Sequence, residues 1–252
     1  MGDCSDAVWR HLRTTASHTI GLSYLTELLN VAPVRASVDD YAELVIEDNV
    51  LGRATESGRR RVYRHLREVY SLDVGCLPFR AMRDLWGEDS QSRPLLAGLL
   101  AFSRDEFLRA SFSAVRDCNS GELVTPGDLA HAVGMVFPQV LSPATLAKVG
   151  RNTASSWQQI GHLSGKSGKV RTRAQIRPAA TAYALFLGHL SGVRGTLLLN
   201  TPWTALLDTS VEHVRFMAED ASRLGYLELR SAGGVDELEF SHLMRGDEGR
   251  DR

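Results

Sequence analysis

Eight bases, Lys148, Arg151, Lys166, Lys169, Arg171, Arg173, Arg177 and Arg194, occupy a stretch from Leu129 to Leu207 that contains no Asp or Glu. A local surplus of ammonium and guanidinium groups is what phosphate binding requires, and it is invisible in the whole-chain formal charge of -1. Charge placement is more informative here than net charge. Seven of the eight bases fall between Lys148 and Arg177. The remainder, Pro178 to Leu207, contains the apolar run Ala179 to Leu190, which reads as a buried helix and excludes acids for that reason alone.

Beside these bases stand polar side chains that could read a duplex. If Asn152 or Thr153 caps a helix running to about His162, then Asn152, Ser155, Ser156 and Gln159 share one side of it, opposite Ala154, Trp157 and Gly161. Asn and Gln can bind adenine bidentately in a major groove, and Ser can serve a base or a phosphate. The same side chains also suit plain water. A second basic set, Arg60, Arg64 and Arg67, lies on the helix face opposite Val62, Leu66 and Val69. The alternative for that set is an ordinary solvated surface, with Glu68 nearby.

The elements that must position these groups follow from spacing and punctuation. Ser142 and Pro143 start a short helix through Lys148, Gly150 makes a turn, and the polar helix follows. Next, LSGKSGK (163–169) forms a basic tip carrying Lys166 and Lys169. Val170 to Ile176 then alternates as a strand should, bringing Arg171 and Arg173 to the phosphates. Helix, turn, helix and hairpin describe a winged helix. Near the N-terminus, a helix from Asp39 to Asp48, a turn through Gly52 and the arginine-faced helix from Ser57 have the lengths of a helix-turn-helix. Between them, helices are expected at Arg93 to Ser103 and at Asp105 to Asn119, with Ser103 and Glu106 as a capping box. Another helix should start at Thr125, Pro126, Gly127 and Asp128.

The runs TLAKVGRNTASSWQQIGHL, VRTRAQIRPAATAYALFLGHLSGVRG and TPWTALLD together resemble the BrxA family of the BREX bacteriophage-exclusion systems. The similarity spans roughly Leu141 to Phe240, with a weaker echo at Val38 to Tyr70. It implies a small non-enzymatic defence component of helix-turn-helix units that binds double-stranded DNA, with a likeness to the antitermination protein NusB. Carried over by position, the DNA-facing residues would be the outward face of Asn152 to Gln159 and the hairpin Lys166 to Arg173. Other BREX subunits are further expected partners. The chain departs from the family's pattern around Gly87 to Val140 and after Ser241.

The C-terminal part repeats this layout with opposite charge. A helix from Ala180 to Leu190 leads to a short helix after Thr201, and Ser210 caps a helix from Val211 to Leu224. Tyr226 to Arg230 then pairs with Val235 to Phe240. Glu228, Asp236, Glu237 and Glu239 crowd this wing, so it should repel phosphate and serve packing or a partner.

Enzyme classes find little footing. Gly161 to Ser167 has three residues between its glycines where a phosphate loop has four, and no apolar strand precedes it. Histidines at 11, 18, 65, 131, 162, 189, 213 and 242 form no HExxH, and no GxSxG elbow occurs. Trp157 and Trp203 sit at helical core positions, which favours packing over base stacking. Three cysteines without paired spacing indicate neither a disulfide framework nor a zinc site. With no apolar run approaching the ~20 residues of a membrane span, a cytoplasmic protein with no membrane association is expected. No cofactor, metal or catalytic activity is expected either.

The expected fold is mainly α, with helical modules containing helix-turn-helix or winged-helix units and two short β-hairpin wings. Residues 1–88 form an N-terminal helical domain, 89–140 a helical connecting region, and 141–178 the basic winged helix-turn-helix. Residues 179–241 form a C-terminal winged-helix-like module, and 242–252 a disordered tail. Duplex DNA binding is the leading functional expectation. A non-catalytic protein-interaction scaffold and NusB-like RNA binding are the alternatives.

Overall fold

Side-chain caps start most of the helices. In the computed structural model, which describes residues 18–166, 168–232 and 235–245, α1 (Leu22–Val31), α2 (Val38–Ile46) and α3 (Glu56–Tyr70) open the chain. Ser37 and Asp40 form a capping box on α2, and Thr55 accepts from the Gly58 amide on α3. Each helix buries one stripe: Leu25, Leu28 and Leu29 on α1, Tyr41, Val45 and Ile46 on α2, and Leu66, Val69 and Tyr70 on α3. The α2–turn–α3 unit is present as its spacing predicts.

Then follow α4 (Leu77–Trp86), α5 (Arg93–Arg104) and α6 (Glu106–Arg116). The expected capping box of Ser103 and Glu106 does not form. Asp105 caps α6 instead, accepting from the amides of Phe107 and Leu108. Ser103 lies inside α5 and donates to the Leu99 carbonyl. A carboxylate at the chain reversal reaches two free amides at once, and Ser103 is already committed to its own helix. Every residue from Leu95 to Ser103 is buried, because α5 is the central rod on which α3, α4, α6, α8 and α9 pack.

Next come β1 (Leu123–Val124), α7 (Pro126–Val136), α8 (Pro143–Ile160), β2 (Leu163–Ser164) and β3 (Lys169–Arg171). The three strands form an antiparallel sheet in the order β1-β3-β2, with Leu123 opposite Val170 and Leu163 opposite Arg171. The strand expected at Val170 to Ile176 therefore ends at Arg171. The sheet also draws β1, from the stretch read as a connecting region, into the wing. In order, α6, β1, α7, α8, β2 and β3 make up a winged helix.

The C-terminal module comprises α9 (Pro178–Leu190), a 3-10 turn at Gly195–Asn200, α10 (Pro202–Ala205), α11 (Val211–Arg223), the hairpin β4 (Glu228–Ala232) and β5 (Val235–Glu239), and α12 (Ser241–Met244). Residues Ala179 to Gly188 are buried, which accounts for the absence of acids there. Leu243 on α12 is buried, so packed chain extends into the segment expected to be a disordered tail; residues 246–252 lie outside the described residues. One continuous core joins Ile20 to Leu243 through both winged-helix units. Among the described residues, no helix is long and apolar enough to cross a membrane.

Candidate nucleic-acid interface

The recognition element differs from its expected form. Residues Pro143–Ile160 form one unbroken helix of 18 residues, α8, capped by Ser142 and closed by Gly161 at φ 104°. Gly150 is therefore no turn. A Cβ at Gly150 would fall 2.1 Å from the Pro126 carbonyl oxygen and 2.9 Å from the Ala130 Cβ, so the glycine lets α7 lie against the middle of α8. The helix-turn-helix thus consists of α7, the 137–142 turn and α8. Small residues Ala130, Gly134, Ala147 and Gly150 allow its two helices their close approach.

An unbroken α8 has four sides, and its neighbours divide them. Val149, Thr153, Trp157 and Ile160 point into the core; the Trp157 indole donates to Ser111 Oγ at 2.9 Å and stacks on Phe112 at 5.3 Å. Leu146, Ala147 and Gly150 face α7. The third side is covered by residues 19–22, where Ser156 accepts from the Ile20 amide at 3.1 Å and Gln159 accepts from the Leu22 amide at 2.8 Å. Open to solvent remain Ala144, Lys148, Arg151 and Gln158, with Ser155 half-buried among them. At 1.5 Å per residue that strip is about 21 Å long, enough to lie along a major groove.

The four polar residues expected on one outward face therefore divide between two sides. Ser155 stays on the open strip. Ser156 is buried and Gln159 is half-buried, both occupied with the N-terminal backbone. Asn152 lies at the seam between α8 and α3. Helical periodicity brings Asn152, Ser156 and Gln159 to one side, and the chain supplies its own cover for that side. Lys148, Arg151 and Gln158, not singled out as site residues from sequence, take their place. The first two were visible as bases of the acid-free stretch, but a turn at Gly150 would have put them on another element.

The wing bases also separate. Lys166 and Arg173 are exposed, and Lys169 is half-buried, its ammonium donating to Gln158 Oε1 and so tying the wing to α8. Arg171, expected along the phosphates, is only 4% exposed. Its Nε donates to the Val115 carbonyl at 2.7 Å, Nη1 to the carbonyls of His162 at 3.4 Å and of Thr172, and Nη2 forms an ion pair with Asp208 at 2.8 Å. It lies between α6, the wing and the C-terminal module. Close by, fully buried His162 has Nδ1 3.9 Å from Asp208. Burial, reinforced by Arg171 and opposed by Asp208, brings its pKa down to about 4, so the ring is neutral at neutral pH.

On α3, Arg60, Arg64 and Arg67 are exposed along one ridge, as expected, with Arg60 paired to Glu56 at 2.7 Å. They flank the seam with α8 without entering it; Arg61, a further base not singled out, does line it, opposite Asn152. On the C-terminal wing, Asp236 is buried and pairs with Arg215 of α11 at 2.8 Å, and Glu228 pairs with Arg230 at 3.0 Å. Glu237 is exposed, as are the apolar side chains of Val211 and Phe216 on α11 and of Leu224 just past its end. Trp203 donates to Ser103 Oγ at 2.7 Å, a packing role. Among the described residues, no group of three His, Cys, Asp or Glu could hold a metal ion.

The open strip of α8 thus presents bases and few hydrogen-bonding side chains, and the wing beyond its end adds exposed Lys166 and Arg173, with Glu122 exposed beside β1 on the same sheet. Such a surface can neutralise phosphates, with Ser155 and the amide nitrogen of Gln158, whose oxygen is held by Lys169, available for base edges. Compared with models of protein families and with curated proteins, the chain matches none.

Proposed function

We propose that this chain is a non-catalytic component of a BREX-type phage-defence system that binds double-stranded DNA with little sequence preference. The open strip of α8 enters the major groove, and Lys166 and Lys169 follow the phosphates. The observation that carries this reading is the composition of the strip: Lys148, Arg151, Ser155 and Gln158 on the second helix of a helix-turn-helix, within a stretch without carboxylates. The defence context rests on the BrxA-like motifs alone. Affinity should come chiefly from counterion release and fall steeply with salt.

Salt-titrated binding to a random-sequence duplex tests the proposal. Replacing Lys148 and Arg151 by Ala should make the dependence of log K on log salt shallower by about one unit per charge removed. An unchanged slope removes α8 from the interface, and absence of duplex binding by the wild type at low salt overturns the reading. Competition with structured RNA separates the NusB-like alternative, because A-form grooves do not admit a recognition helix.

A scaffold role is the second reading, favoured by Phe216, exposed on α11, and Leu224, exposed just past its end. Under it, the α8 variants would keep wild-type duplex behaviour, and exchanging Phe216 for Ser would abolish co-purification with a defence subunit.

A further inference from the structure

Between α1, α3 and α8 lies a cavity of about 300 Å³, set at the seam where the N-terminal helices meet the winged helix. Its walls carry Arg53, Arg61, His18, His65, Tyr24 and Asn152, and no carboxylate lines it. Lys148, at the near end of the open strip of α8, is close enough to act electrostatically on His18. Among the described residues, neither Arg53, Arg61 nor Lys148 forms an ion pair with a carboxylate. The Arg53 Nη1 donates to the Tyr24 hydroxyl at 2.9 Å, and its guanidinium lies 5.8 Å from the centre of that ring. Two cations therefore line one concave site and a third acts on it from nearby, with no carboxylate among its described walls, although Glu68 also acts on His18 from outside them.

The two imidazoles are arranged to complement this. Their ring centres are 4.3 Å apart, and His65 donates from Nε2 to the Thr19 carbonyl at 2.7 Å, which fixes its tautomer. Burial holds the pKa of His18 below its usual value, with Lys148 and Arg61 lowering it further and Glu68 raising it. His65, facing it, is down at about 4. Both rings are neutral at neutral pH, and His18 is left responsive to any anion that enters.

We infer that this cavity is a phosphate-binding site, in which the guanidinium groups of Arg53 and Arg61, the Asn152 amide and the His18 imidazole hold one phosphate group. A phosphate monoester presents three strong acceptor oxygens and close to two charges at neutral pH, and a backbone diester two free oxygens and one charge; both present oxygens in the geometry that a guanidinium fork binds bidentately. The phosphate belongs either to a nucleic-acid backbone passing over α8, which deepens the proposed function, or to a free phosphorylated small molecule, which does not depend on it.

The test uses the full chain and two probes, inorganic phosphate and a blunt duplex. Imidazole proton resonances are followed during addition of phosphate, with chloride at equal ionic strength as reference. A saturable shift of His18, with its titration moved to higher pH, is expected in the wild type and should be lost in an Arg53→Ala, Arg61→Ala variant. Both substitutions lie at exposed positions, and unchanged thermal unfolding would confirm that the variant folds. A wild type that responds to phosphate no differently from chloride overturns the site, as does a variant that responds like the wild type. Duplex affinity then identifies the source. A loss of about tenfold in the variant assigns the site to a backbone phosphate. Unchanged duplex affinity with a lost phosphate response assigns it to a free phosphorylated ligand. A phosphate response in a wild type that binds no duplex keeps the site and removes the DNA reading.

Discussion

A base in an acid-free stretch has two destinations: the surface, where it meets water or phosphate, or the interior, where carbonyls must surround it. Arg171 takes the second, and its planar fork makes this possible, because separate N–H groups reach Val115, His162 and Thr172 while Nη2 meets Asp208. Truncation to Ala would leave Asp208, 19% exposed, without its cation and orphan the carbonyls. We expect Arg171→Ala to cost about 3 to 5 kcal/mol in urea unfolding, and Arg171→Lys to recover little of it, since one ammonium cannot span the same acceptors. A loss under about 1 kcal/mol would show that the residue is not the tie described. His65 and His162 add a pH dependence. Both have folded pKa values of about 4, against an ordinary 6.5, burial being the main cause in each. The unfolded chain therefore binds more protons between pH 6.5 and 4. Stability is full above that window and declines through it as pH falls, by at most about 1.4 kcal/mol per pH unit for each histidine. Exchanging His65 for Gln should flatten the decline measured by urea midpoints across that window; an unaltered slope would exclude His65 as a source. Nothing in its spacing marks Arg171 as buried, because alternation along the wing predicts only that successive side chains point to opposite faces.

At the scale of elements, α8 shows how one glycine supports two readings. Gly between polar helical segments is a legitimate turn signal, yet it is equally the residue that admits a neighbouring backbone. The deciding fact is the Pro126 carbonyl, 24 positions earlier in the chain, at a distance no Cβ could tolerate. We expect Gly150→Ala to destabilise the protein by about 2 to 3 kcal/mol despite alanine's higher helix propensity, since α7 must move away from α8. A turn glycine that needed no close approach would give a neutral or stabilising Ala variant in the same denaturation experiment. Most helices, the two hairpins and the caps at Thr125, Ser142 and Ser210 were legible, since each depends on residues within one turn. The third strand of the sheet was not. β1 is two residues long and pairs with Lys169 and Val170, far downstream. The same limit applies to Ser103 and Asp105, two adequate caps between which the path of the backbone decides.

For the whole molecule, two surfaces of different character are candidates for a partner. The basic strip of α8 with its wing and the exposed Phe216 of α11 belong to two winged helices of similar layout and opposite character. If the first is the duplex surface, substitutions on α11 such as Phe216→Ser should leave duplex affinity unchanged, whereas removal of Lys166 and Lys169 should weaken it at every sequence and reduce its salt dependence. Filter binding or fluorescence anisotropy at several salt concentrations checks both expectations. Loss of affinity on changing Phe216 alone would place the duplex on the other module.

The sequence by itself determined the fold class, most of the helices and the location of the basic surplus, because periodicity, caps and charge are carried by neighbours in the chain. It located the candidate surface to within one helix and one wing. Only the tertiary structure decided which side of that helix is open. Ser156 and Gln159 are covered by residues more than a hundred positions away, Arg171 is claimed by Asp208, and Lys148 with Arg151 is left facing solvent. The physical reason is that an isolated helix exposes all of its sides to water. Which polar groups stay hydrated depends on the packing partners, and those come from distant parts of the chain.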